Sequence, residues 1–310
     1  MTSKFDYIIA GGGSAGCALA YRLAKNSSAS VCLVEAGGHG RDLFIKMPAG
    51  NGFVFGNPKL DWGYSSIPQK ELNNRQIYFA RGKALGGSSI VNGMIYMRGI
   101  ASDYDNWRQM GLSGWSYSDL LPYFKRSEGS LNRQDQYHGN HGPLKVEPAR
   151  NFGKLDKAFI KAALQSGHNF LEDFNGPVRT GVSRVDSTVH KGIRQSSALA
   201  YLKKIPKNLH IFTNTHISRI LFEQTRAVGI ESTKGDKFFA DQEVIICQGA
   251  FGTPQLLMLS GIGPSDHLLS HGIKPIMDLQ GVGQNLADHI DVSIQYGSKP
   301  QLVQEQCLSK

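Results

Sequence analysis

Near its start the chain changes hydrophobic period twice. Asp6–Ala10 (DYIIA) is a short run of the length of a buried strand. Ala15, Ala18, Leu19 and Leu23 then recur at helical spacing and give one apolar face. Val31–Val34 (VCLV) is a second strand-like run. Further on, Leu209–Phe212, Arg219–Phe222, Ala227–Glu231 and Phe238–Ala240 read as short strands or hairpin pieces. Val244–Cys247 reads as another parallel strand beside the first two, and Thr253-Pro254 opens a helix with proline near its first turn. Leu155–His168 is amphipathic, with Leu155, Ala158, Phe159, Ala162 and Ala163 on one face. The pattern predicts an α/β chain built on a Rossmann-like parallel sheet. Gly38–Asn74 breaks it: Gly, Pro and Asn recur there between Phe44, Phe53, Phe55, Trp62 and Tyr64. A connection this long is either a cover over a ligand or a satellite core.

Between the first strand and helix, Gly11, Gly13 and Gly16 fit G-x-G-x-x-G. The first glycine allows the tight turn, the second lets backbone approach a pyrophosphate, and the third lets helix and sheet pack closely. The free N–H groups and positive dipole end of the helix suit a phosphate. Glu35 closes the second strand, where a carboxylate can take the ribose hydroxyls of an adenosine. A carboxylate there disfavours a 2′-phosphate. At this point NAD and FAD both remain open.

Composition narrows the class. The chain has 310 residues, 40% hydrophobic and 19% charged, enough for one large domain or two unequal ones. Its net charge is +9, but Lys and Arg are scattered without a dense run, so a solvated basic surface explains it better than nucleic-acid binding. Of the cysteines, Cys17, Cys32 and Cys247 fall in apolar runs, Cys307 lies near the end, and none forms a metal-type spacing. No run reaches the length of a membrane span, and the first strand leaves no room for a leader. A cytoplasmic location is expected.

A second glycine-serine turn, Gly86-Gly87-Ser88-Ser89, lies within Arg81–Gly99 (RGKALGGSSIVNGMIYMRG). Its backbone N–H groups can hold an anion, and Asn92 offers a donor and an acceptor to a heterocycle. With the N-terminal dinucleotide fold, this stretch resembles the glucose–methanol–choline (GMC) oxidoreductases, FAD-dependent enzymes that oxidise alcohols, and among them the choline dehydrogenase-like subgroup. Also similar to that family are Trp107–Phe124, Tyr137-His138-Gly139 with Gly142-Pro143-Leu144, Gly192–Leu202 (GIRQSSALAYL), Gly249–Gly263 and Gly281–His289.

The resemblance implies noncovalent FAD, because Val91 stands where some members link the flavin through a histidine. It implies cofactor contacts at Gly11, Gly13, Ser14, Ala15, Gly16, Glu35, Ala36, Gly86, Ser88, Asn92, Gly93, Met94, Ile95, Ile217 and Gly249, with Ile217 contacting adenine through its backbone. Gln248 departs from the small residue expected there. The implied domains are an FAD-binding domain of residues 1–150 and 190–290 and the beginning of an α+β substrate-binding domain, residues 151–189 and 291–310. The implied reaction passes a hydride from an alcohol carbon to flavin N5 while a base, naturally a histidine, takes the hydroxyl proton. The family's catalytic histidine motif has no counterpart here, so no catalytic residue is named. A chain ending before that motif is expected to be inactive alone, and the alternative is a non-catalytic FAD-binding remnant. An NAD-dependent dehydrogenase would leave Arg81–Gly99 and Gly249–Gly263 unexplained.

Overall fold

The structure is a computed structural model, describing residues 2–149, 153–289, 291, 292, 294, 295 and 297. Two compact units divide the chain: Met1–Gly93 with Gly192–Ala287, and Met94–Lys191 with Asp288–Lys310 as far as those are described.

The first unit is organised by β1 (Thr2–Ala10), α1 (Ser14–Asn26) and β2 (Val31–Val34). It returns as β3 (Leu209–Phe212), β4 (Ile217–Glu223), β5 (Arg226–Ser232), β6 (Lys237–Ile246) and α2 (Gly249–Leu259). The six strands lie in the order β3-β2-β1-β6-β5-β4. β3, β2, β1 and β6 are mutually parallel, and β5 and β4 add antiparallel at one edge.

Strand alternation divides the apolar residues between two cores. Ile8, Ala10, Cys32 and Val34 face one core with Ile230 and Leu256 of α2. Ile9, Val31 and Leu33 face the other with Ala20 and Ala24 of α1. Every residue of β2 is buried, as a central parallel strand covered on both faces requires. A register shift between Phe5 and Tyr7 returns Phe5 to the Ile8 side.

The structure departs from the hydrophobic pattern in two places. Phe238–Ala240 and Val244–Ile246 belong to one strand, β6, and Cys247 follows its end. Its first residues pair with β5 while the strand runs beside β1, so pairing carries it through the exposed Asp241-Gln242-Glu243 interruption. α2 begins at Gly249 and not at Thr253, and Pro254 stands inside it.

Gly38–Asn74 supplies a satellite core and a strap. Ile45 and Val54 form a satellite core with Ala84, Ile90 and Val91. Asp61, 2% exposed, ties the rest into a strap by accepting N–H bonds from Gly56 (2.9 Å), Gly63 (3.1 Å) and Arg81 (3.0 Å) and a hydrogen bond from the Tyr78 hydroxyl.

The second unit holds helices Ala101–Gln109 and Tyr117–Ser127, the latter opened by a Ser116–Asp119 capping box. A three-stranded sheet comes next, Glu128–Ser130, Leu144–Pro148 and Asp186–Ser187, the first pair parallel and the second antiparallel. Because Leu144–Pro148 pairs with both of the other strands, the chain before residue 150 shares a sheet with Asp186–Ser187. The division therefore falls after Gly93, where a boundary at 150 was expected. Helix Lys154–Gln165 stands where Leu155–His168 was expected but ends before Ser166, and its apolar face is not packed away: Phe159 is 70% exposed.

Candidate dinucleotide site

The first unit contains a cleft of about 540 Å³ at the carboxyl ends of β1, β2 and β6. Its floor is the turn from β1 into α1. Gly11 takes a positive φ of 106°, and its N–H donates to Val34 O (2.8 Å). A Cβ at Gly16 would meet Gly11 O at 1.9 Å, so only glycine lets α1 leave β1 at this angle. Gly13 differs: it has ordinary extended backbone (φ −75°, ψ −162°), and its nearest protein neighbour to an added Cβ is Cys247 O at 3.7 Å. The protein itself leaves room there. The space opens into the cleft beside the first turn of α1, where no side chain caps the helix.

The opposite wall comes from Gly86–Ile90. Gly86 N donates to Gly12 O (2.8 Å), and Gly87, at φ 51°, lies so near that a Cβ there would meet Gly13 Cα at 2.6 Å. The two glycine turns thus face each other. The first turn of α2 (Gly249–Thr253) supplies a second uncapped helix end. Gln248 precedes it and fits because Gly252 has no side chain: a Cβ there would meet Gln248 Cβ at 2.9 Å.

The far end is built around Glu35. Its Oε2 accepts from Gly12 N and its Oε1 from Gly37 N, both at 2.8 Å. Burial raises its pKa, opposed by the N–H donors of Gly37, Gly12 and Ala36. Glu35 N and O bond Phe212 O and Thr215 N and bring Thr215–Ile217 alongside. Trp62 and Tyr64 stack with ring centroids 5.8 Å apart, and His216 meets Trp62 edge-on at 5.4 Å. Burial and the Lys83 charge lower the His216 pKa. On the α2 side the Arg81 guanidinium lies over the Phe251 ring, 4.9 Å from its centroid.

Of the residues singled out in the sequence, Gly11, Gly13, Ser14, Ala15, Glu35, Ala36, Ser88, Ile217 and Gly249 line this cleft. Gly16 and Gly86 lie behind the lining and shape it. Asn92 does not line it; its Oδ1 accepts from Arg194 Nη1 (2.9 Å). Gly93 ends the first unit and also lies off the lining, while Met94 and Ile95 open the second, pairing with Thr188 and Ser187. Trp62, Tyr64, Arg81, His216 and Phe251 line the cleft without having been assigned to it. The aromatics of Gly38–Asn74 were the available signal, and their packing alone could not separate cover from core. Cys17 is buried under the turn, donates to Gly12 O (3.1 Å) and has its pKa pushed up to about 12 by burial, so it acts as a packing group.

A parallel sheet with facing glycine turns, two uncapped helix ends and an acid at the end of β2 defines a dinucleotide-binding α/β protein of the Rossmann class. The chain belongs to the GMC oxidoreductase family, whose model matches residues 5–291. It is 44% identical over 294 residues to the oxygen-dependent choline dehydrogenases of Brucella suis biovar 1 (strain 1330) and Sinorhizobium fredii (strain NBRC 101917 / NGR234), covering 94% of this chain and 54% of each relative. Among solved structures it resembles pyridoxine 4-oxidase from Mesorbium loti (35% identity, TM-score 0.84, 89% of this chain and 55% of that one). It also resembles a formate oxidase of Aspergillus oryzae RIB40 (32% identity, TM-score 0.85, 93% and 53%). The chain thus spans about half the length of the relatives it matches. The family, the α/β class and FAD as the cofactor agree with the sequence expectations.

Proposed function

We propose that this chain holds the FAD of a choline dehydrogenase-like oxidoreductase acting on an alcohol CH–OH group. The observation that carries the reading is the space at Gly13. Nothing in the protein needs a glycine there, and the room it leaves faces the uncapped start of α1 across from Gly87. A pyrophosphate approaching the backbone accounts for it. Ser14, Ala15 and Ser88 would hold the phosphates, Glu35 the adenosine ribose, and Thr215–Ile217 with Trp62 the adenine end. When bound, FAD supplies the acceptor for the hydride of an alcohol.

The FAD is noncovalent in this reading. Val91 is 5% exposed and packed against Ile45, Val54, Ala84 and Ile90, and it carries no group able to bond a flavin. We assign the chain no catalytic base. Among the described residues His216 is the single histidine lining the cleft, and its ring packs edge-on against Trp62, beside the segment that Glu35 O holds through Thr215 N.

The cysteines support a cytoplasmic protein: Cys17 and Cys32 are buried free thiols and Cys247 a half-buried one, while Cys307 lies outside the described residues. Among the described residues no helix is long and apolar enough to cross a membrane. The test is reconstitution. The purified chain should take up FAD, show flavin absorbance and quench its fluorescence, and acid precipitation should release all of it. A chain indifferent to FAD would overturn the reading. Bleaching of bound flavin by choline or another alcohol, with no further polypeptide present, would overturn the assignment of no base.

A further inference from the structure

Arg194 is the largest of the fully buried side chains, 1% exposed, and all its hydrogen-bond partners are neutral. Its Nε donates to Ile45 O (3.1 Å). Its Nη1 donates to Asn92 O (2.7 Å), Asn92 Oδ1 (2.9 Å) and, more weakly, Ser89 O (3.5 Å). Its Nη2 donates to Asn51 Oδ1 (2.5 Å). Among the described residues no carboxylate pairs with it. The other deeply buried arginine, Arg98, has Glu128 at 2.6 Å.

Leaving a cation buried without a counter-ion costs several kcal/mol. If Arg194 served only to tie segments together, an acid in place of Asn51 would do it better, because a guanidinium–carboxylate pair binds more strongly than a guanidinium–amide contact. The charge stands behind the Gly86–Asn92 turn, whose front residues Gly87 and Ser88 line the cleft. The same turn is fixed on its other flanks by Gly86 N to Gly12 O (2.8 Å) and Ser197 N to Ser89 Oγ (2.9 Å).

We propose that Arg194 is a positioning and electrostatic residue of the dinucleotide site. Its fork fixes the Gly86–Asn92 turn, and its uncompensated charge supplies positive potential through that turn to the pyrophosphate of the ligand. The counter-ion missing from the protein is the cofactor's own. The inference rests on the dinucleotide reading of the cleft.

The decisive variant is Asn51→Asp. It is nearly isosteric and keeps an oxygen on Arg194 Nη2. It gives up only the 3.4 Å contact from Asn51 Nδ2 to Asn92 O, and it cancels the charge without emptying the core. Binding of ADP and of adenosine is measured by calorimetry on the whole chain, for the parent, N51D and R194K. ADP affinity should fall about tenfold in N51D, the scale of one unit charge acting across a loop at an effective dielectric of about 20. Adenosine affinity should stay unchanged, and the salt dependence of ADP binding should weaken. R194K retains the charge but loses the fork, and should weaken both ligands together. An N51D protein that melts like the parent and binds ADP as tightly would overturn the proposal. If the parent binds neither ADP nor FAD, the dinucleotide reading itself has failed.

Discussion

Two glycines three residues apart should respond to the same mutation in opposite ways. A Cβ at Gly16 would sit 1.9 Å from Gly11 O and 3.1 Å from Gly11 C, both backbone atoms that no rotamer change can move. Gly16→Ala must push α1 off β1, and overpacking of this kind costs about 3 kcal/mol or more. A Cβ at Gly13 meets only Cys247 O at 3.7 Å and Gly87 Cα at 3.9 Å, which are ordinary contacts, on a backbone that any residue can adopt. Gly13→Ala should therefore shift stability by no more than about 0.5 kcal/mol, the loss of a tolerated helix cap offsetting the gain from a stiffer unfolded chain. Its methyl group instead fills the space that a phosphate needs, and a clash of about 1–3 kcal/mol there lowers FAD affinity by roughly 10- to 100-fold. Urea unfolding followed by tryptophan fluorescence reads the first quantity, and quenching of FAD fluorescence reads the second. A Gly13→Ala chain that binds FAD like the parent would show that nothing approaches the backbone there. A Gly16→Ala chain of parental stability would refute the packing argument.

The buried acids and histidine set further outcomes. Glu35 has a raised pKa, so its proton favours the folded form: its contribution to stability is best below pH 4.5 and declines as pH rises through the raised value. Ligand binding runs the other way, since the carboxylate accepts from ribose hydroxyls through both oxygens and more strongly than the neutral acid does. ADP affinity should increase as pH rises above 4.5, and Glu35→Gln should flatten that profile in calorimetric titrations. In the second unit, His138 Nδ1 faces Glu128 Oε1 and Nε2 faces Asp173 Oδ2, both at 2.8 Å, while Arg98 bonds the other Glu128 oxygen. Burial lowers the His138 pKa, but Asp173 and Glu128 outweigh it and raise the value from 6.5 to about 9. The imidazolium thus contributes about 3 kcal/mol that is fully present below pH 6.5 and lost as pH climbs through 9. Protection of the Glu128–Ser130 amides from hydrogen exchange, relative to their intrinsic rates, should fall over that range, and His138→Gln should remove that fall.

Local spacing made the β1–α1–β2 unit readable, because strand period, glycine offsets and the acid at the end of β2 all act within one short stretch. What the sequence hid was tertiary. β6 looked like two pieces because Asp241, Gln242 and Glu243 are exposed, and only pairing with β1 shows that the strand runs through. Pro254 looked like a helix start, whereas Gly249 at φ 74° already turns the chain into α2. Asn92 had the right chemistry for a heterocycle, but its carbonyl group is engaged by an arginine 102 residues away. Trp62 and His216 come together only when the strap held by Asp61 crosses the end of β4, a meeting that neither segment encodes alone.

The two helix ends at the cleft carry a consequence for the life of the polypeptide. α1 and α2 direct their positive poles at one space, so without an anion they repel each other across the centre of the sheet. Bound cofactor relieves that repulsion, and at a concentration about 100 times its Kd it adds about 2.7 kcal/mol to the folded state. Cofactor supply would then set how long the protein survives. Chains without dinucleotide lack that increment and spend a larger fraction of time unfolded, the state that proteases cut, so the amount of protein would follow the supply of flavin.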